Sequence, residues 1–278
     1  MGGIASTTVE HDGLTFDVHV AGPEDGTPVL LLHGFPQTSR SWTRVLDLLE
    51  DTGLRFLVPD QRGYSPGARP PGVSAYAVDV LAADALAVAA ALGHESVHLV
   101  GHDWGASVAW HVAAHHPERV RSLTALSVPH LGAFGWAVAH DPEQQRRSAY
   151  LSDFRRPGHE DVLLADDAAA LREVYDGVVS PADVDHYVTV MRDGALGPAL
   201  GWYRAMRRDL ADLPPVRVPT TFVWGEQDRA TSEAAATRCA EHVQGDYRFV
   251  RLPGFGHWSP DEVPRLVAGE IRRRVLGR

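Results

Sequence analysis

Three short runs that are apolar on both faces constrain the fold of this chain more than any other feature. They lie at residues 28–32, 56–59 and 97–100. A strand with one wet face alternates polar and apolar residues, whereas a strand apolar throughout belongs inside a parallel sheet covered on both sides. Helical patterns at 42–49 and 77–92 separate the runs, and Gly93 caps the second. A helix after Trp104 and a strand at 120–128 continue the alternation, which predicts an α/β fold with a mostly parallel sheet flanked by helices. Upstream, residues 7–20 alternate around His11-Asp12-Gly13, the pattern of a tight hairpin.

From residue 130 the texture changes. Alanine, arginine and aspartate dominate, helical stretches fall at 166–175, 182–192 and 200–210, and no buried-strand run appears. Strand texture resumes at 220–224 and 247–252, and a helix follows at 261–275. The expected organisation is one core built from residues 1–129 and 214–278, interrupted by a helical cap at 130–213.

Charge and cysteine content narrow the function classes. The formal net charge is -10, with no clustered positive run, which argues against a nucleic-acid partner. No apolar run is long enough for a membrane span. The start lacks the pattern of a signal peptide, and the single cysteine, Cys239, excludes an intrachain disulfide, so a cytoplasmic location is expected. Lysine and asparagine are both absent.

Leu99-Val100-Gly101-His102-Asp103-Trp104-Gly105-Ala106 runs from a buried strand directly into a helix. Glycines two before and two after Asp103 permit a sharp turn that lifts its carboxylate clear, and the helix start offers free N–H groups beside it. Asp103 is therefore the candidate nucleophile, against the alternative of an ordinary helix N-cap. Gly63-Tyr64-Ser65-Pro66-Gly67 also matches G-x-S-x-G, but Pro66 and the prolines after it cannot continue as a helix, so Ser65 is rejected.

Two partners follow in the order acid, then histidine. Asp228 lies just beyond the strand at 220–224, with Glu226 as second candidate, and His257 lies beyond the last strand in Gly254-Phe255-Gly256-His257. Nucleophile, acid, histidine is the chain order of α/β-hydrolases. After the strand ending at Leu32, His33-Gly34-Phe35-Pro36 forms a loop whose Phe35 N–H can converge with that of Trp104 into an oxyanion hole. A cis bond at Pro36 is compatible with that loop.

These motifs, with Gly225-Glu226-Gln227-Asp228 and Gly256-His257-Trp258, closely resemble those of epoxide hydrolases of the α/β-hydrolase superfamily, and the likeness runs along nearly the whole chain. The resemblance implies two cap tyrosines that bind the epoxide oxygen. Tyr203, in Gly201-Trp202-Tyr203-Arg204, matches one. Tyr150, four residues before Phe154 in a segment ending Pro157-Gly158, matches the other, with Tyr175 and Tyr187 as fallback candidates. His33, Pro36, Trp136, Trp202 and Trp258 are expected to border the substrate. The implied chemistry is attack by Asp103 on an epoxide carbon and hydrolysis of the resulting ester by water that His257 activates, with Asp228 orienting the ring. It uses an apolar small-molecule epoxide and water, and neither metal nor organic cofactor.

The competing reading is a haloalkane dehalogenase. It shares the nucleophile but needs two N–H donors for halide, for which Trp104 and either Trp136 or Trp202 are available. A haloacetate dehalogenase would need arginines beside the nucleophile, where Trp104 and Ser107 stand. A non-catalytic relative serving as a binding module is the remaining alternative. His111 and His115 stand four apart on a helix, but Val112 replaces the glutamate of H-E-x-x-H, which favours packing over metal binding. Arg146–Arg147 and Arg272–Arg274 read as solvated helix faces.

Overall fold

The computed structural model describes residues 4–207 and 211–277. Eight strands form one sheet in the order β1-β2-β4-β3-β5-β6-β7-β8. They are β1 (Ala5–His11), β2 (Leu14–Ala21), β3 (Thr27–Leu32), β4 (Leu54–Pro59), β5 (Val97–His102), β6 (Val120–Leu126), β7 (Thr220–Gly225) and β8 (Tyr247–Leu252). β1 and β2 form the expected hairpin, with Asp12 and Gly13 both at positive φ. β2 meets β4 antiparallel, and every other pairing from β4 to β8 is parallel.

The doubly apolar runs are the central strands. Side chains alternate across a sheet, so Leu30, Leu32 and Leu99 pack into one core while Val29, Leu31 and Val100 pack into the other. The first face is covered by α2 (Val78–Ala91), α3 (Trp104–His115) and the cap; the second by α1 (Thr43–Asp47) and α12 (Pro264–Leu276). The predicted helix at 42–49 divides into a 3-10 turn, Ser39–Trp42, and α1. The predicted helix at 261–275 divides into α11 (Ser259–Glu262) and α12, because Pro264 drives Val263 out of helical geometry.

The cap lies between β6 and β7 and holds α4 (Leu131–His140), α5 (Pro142–Arg147), α6 (Tyr150–Phe154), α7 (His159–Glu173), α8 (Pro181–Val190) and α9 (Leu196–Arg204), with α10 (Glu233–Arg238) following β7. α7 starts earlier than its apolar pattern predicts and breaks at Ala165–Ala168, where Asp166, Asp167 and Ala168 take positive φ. α8 continues through a π turn, Met191–Ala195, into α9. The predicted helix at 200–210 ends at Arg204, and residues 208–210 of that span lie outside the described residues. Among the described residues, no helix is long and apolar enough to cross a membrane.

Candidate active site

Asp103 occupies the one-residue joint between β5 and α3, at φ 54° and ψ -120°. A residue with a side chain is strained there by about 1–3 kcal/mol, a cost that persists only where surrounding packing enforces it. The enforcement is visible at the flanking glycines. A Cβ on Gly105 would lie 2.1 Å from the carbonyl oxygen of Leu32, and one on Gly101 would lie 2.3 Å from that of Gly105. The turn delivers the carboxylate to two backbone donors: Phe35 N–H donates to Oδ1 at 2.8 Å, and Trp104 N–H also bonds the carboxylate. The Phe35–Pro36 bond is cis. Oδ2 faces His257 Nε2 at 3.4 Å.

The other ring nitrogen of His257 meets Asp228, with Nδ1 3.1 Å from Oδ1 and 3.0 Å from Oδ2. Asp228 is fully buried, and its Oδ1 also accepts from Ala230 N at 2.7 Å and Thr231 N at 3.1 Å. From the cap, Arg147 donates to the backbone carbonyls of Asp228 and Thr231, so it secures the acid loop and is not the solvated face its sequence context predicts. The His257 carbonyl is held by His102 Nε2–H at 2.9 Å and Ser127 Oγ–H at 2.5 Å. Beside the nucleophile, His102 would by the geometry of the turn be expected to point away from substrate, and nothing in the sequence singles out Ser127. Ser127 stands just after β6 at a positive φ, which the sequence does not announce.

Burial, hydrogen bonding and charge divide the titration of this group. Burial pushes the Asp103 carboxyl up, but its hydrogen bond to His257, the charge of that ring, His102 and the Trp104 N–H outweigh it and hold it low. Burial pulls His257 down, yet the carboxylates of Asp228 and Asp103 raise it well above the usual histidine range. Burial and the His257 charge lower His102 to about 4, so it remains a neutral donor.

A cavity of about 210 Å³ opens over Asp103 and His257, walled by Phe35, Phe154, Trp258 and the two tyrosines Tyr150 and Tyr203. Tyr150 comes from α6 and Tyr203 from α9, and their rings stand 6.3 Å apart. Tyr203 is wedged edge-on against Trp104, Phe35 and Phe154 at 5.0–5.3 Å. Burial first, and then the Asp103 charge, push both phenols up, so both keep their protons.

Several expected contacts are absent from this cavity. His33 is buried behind it, accepting from Gln61 N at 3.1 Å, while Pro36 offers its carbonyl to Tyr175 at 2.9 Å. The Trp202 indole donates to Arg62 O at 3.0 Å and stacks edge-on against Tyr64 and Trp104. Trp136 sits on the exposed side of α4, stacked with His140 beneath Arg238. Of the five residues expected to border the substrate, only Trp258 lines the cavity. Packing explains the rest, since a loop or helix motif does not say which way each ring turns.

Tyr175 and Tyr187 stack on one another away from the cavity wall. Glu226 pairs with Arg251 instead of reaching His257. Ser65 Oγ is consumed by Asp60 O and Asp17 N within its loop. Arg274, predicted to be solvated, is instead largely buried against Asp246 and Thr220.

Residues 27–264 match the family model described as alpha/beta hydrolase fold. Epoxide hydrolase A of Mycobacterium tuberculosis (strain ATCC 25618 / H37Rv) is 32% identical over 323 residues, covering 100% of this chain and 99% of that protein. The chain belongs to the epoxide hydrolase family of α/β-hydrolases. Within the superfamily, the AB hydrolase superfamily protein YfhM of Bacillus subtilis (strain 168) is also 32% identical, over 276 residues and 96% of each chain. Among solved structures, the Bacillus megaterium epoxide hydrolase in complex with an inhibitor superposes with a TM-score of 0.88 at 27% identity, covering 98% of this chain and 100% of that one.

The cavity mouth of this family member also carries residues that sequence reasoning missed, namely Glu173, Asp176 and Arg229. Their only signals in the sequence are that Arg229 directly follows the acid candidate and that Asp176-Gly177 reads as a turn.

Proposed function

We propose that this chain hydrolyses an epoxide to a vicinal diol through a covalent ester on Asp103, with residues 130–213 acting as the cap that supplies the electrophilic groups. The observation that carries this reading is the placement of two protonated phenols, Tyr150 and Tyr203, in the same cavity as the Asp103 carboxylate. Oδ1 is held by the Phe35 N–H, which leaves Oδ2 to attack an epoxide carbon as the C–O bond breaks. The departing oxygen gathers charge and takes a proton from a phenol.

Esterification removes the Asp103 charge, one of the two that keep the proton on His257. The ring then gives up that proton more readily, one returning to the phenolate left by the first step, and is a neutral base at the step that requires one. It takes a proton from water, whose oxygen attacks the ester carbonyl carbon, and the oxyanion forms at Oδ1 beside the N–H groups of Phe35 and Trp104. Collapse of that intermediate releases the diol and restores the carboxylate.

The dehalogenase reading loses its second donor. Trp104 could still offer one indole, but a second is lacking: that of Trp202 donates to Arg62 O, and Trp136 faces away. Incubation with styrene oxide and a bromoalkane in parallel tests the assignment: diol without bromide is expected, and bromide release without diol overturns it.

A further inference from the structure

The cavity wall is apolar above the nucleophile, but its mouth is charged. Glu173, at the end of α7, and Asp176, in the turn before α8, come from the cap; Arg229, beyond β7, comes from the core. Asp176 and Arg229 form an ion pair across that boundary, so their charges offset one another. Glu173 is different. Among the described residues no donor or cation bonds its carboxylate, and it is exposed to the cavity mouth. A substrate whose epoxide lies at Asp103 leads its far end past this free negative charge, because both residues line one cavity.

We propose that Glu173 is a specificity residue that favours epoxides with a cationic distal substituent over those with a carboxylate there. The idea rests on the function proposed above and names a substrate class within it. Arg229 does not reverse the preference, since its guanidinium is already matched by Asp176. A unit charge roughly 7 Å from the substituent in a wet mouth is worth about a threefold to fivefold change in kcat/KM.

The test uses three para-substituted styrene oxides carrying a methyl, a trimethylammonium-methyl or a carboxylate group. The readout is the kcat/KM ratio of the ammonium to the carboxylate substrate in low salt. Relative to the unmodified protein, Glu173→Gln is expected to lower that ratio about 9- to 25-fold, since the two substrates shift in opposite senses, and Glu173→Lys by roughly the square of that. Arg229→Gln, which leaves Asp176 unpaired, raises it. Salt at roughly 1 M compresses the differences, because the charges are screened. An unchanged ratio in the two Glu173 variants overturns the proposal. Failure of the unmodified protein to hydrolyse the methyl compound overturns the functional reading instead, so the two failures are distinguishable.

Discussion

Replacing Asp228 by asparagine separates the two chemical steps proposed for Asp103. Oδ1 of Asp228 accepts from Ala230 N and Thr231 N, whereas Oδ2 faces only His257 Nδ1, at 3.0 Å. The asparagine oxygen must therefore take the Oδ1 place, because two fixed N–H groups point there. Its amide NH₂ then faces His257 Nδ1 at 3.0 Å, where two donors cannot meet, and the oxygen left 3.1 Å from Nδ1 is already taken up by two N–H groups. The imidazole is forced into the tautomer with its proton on Nε2, where it donates to Asp103 and cannot take a proton from water.

Attack on the epoxide needs the Asp103 carboxylate and a phenol, not a basic His257, so ester formation survives. Ester hydrolysis falls by about 10⁴, or roughly 5.5 kcal/mol in barrier. Rapid quenching followed by mass spectrometry of the Asp103 peptide should show one equivalent of added epoxide mass, and diol should then appear only slowly. Steady turnover within tenfold of the unmodified enzyme, or lost turnover with no adduct, would refute the reasoning.

Three further outcomes follow from the same geometry. In Gly34→Ala the new Cβ would stand 2.3 Å from Asp103 Oδ1, displacing the nucleophile; kcat/KM on styrene oxide should fall about 100-fold with circular dichroism unchanged, and a loss under threefold contradicts this. Burial above all pushes the Asp261 carboxyl up from the usual carboxylate range to about 6. Such a carboxyl leaves stability undiminished below about 4 and costs it as pH rises through 6, reaching about 3 kcal/mol. Urea titrations should therefore show Asp261→Asn gaining on the unmodified protein at pH 8 far more than at pH 4; a gain independent of pH removes the assigned cause. Arg62 donates to both oxygens of buried Asp84 at 2.6 and 2.7 Å, so Arg62→Ala should cost about 3–5 kcal/mol in denaturant unfolding, and a cost under 1 kcal/mol would show the pair to be dispensable.

What the sequence discloses about this site follows from how local each determinant is. The turn at Asp103 is encoded within a few residues, since the glycines at 101 and 105 are required by carbonyl oxygens that approach within van der Waals distance. The central strands are equally legible, because a run apolar on both faces has nowhere to go except between two helical layers. The environment of His257 is not local. Its carbonyl is gripped by Ser127 from the end of β6 and by His102 from β5, and its acid is secured by Arg147 from the cap.

Orientation is the harder part. Tyr203 and Trp202 are neighbours on α9, yet one lines the cavity beside Asp103 while the other turns its indole to Arg62 O. A helical pattern sets them about 100° apart but cannot say which of two buried faces meets substrate. That choice belongs to the docking of cap on core. It bears on the proposed chemistry as well: the Trp202 indole that a halide would need as its second donor is spent on Arg62 O, and Tyr203 is left in the cavity with the Asp103 carboxylate.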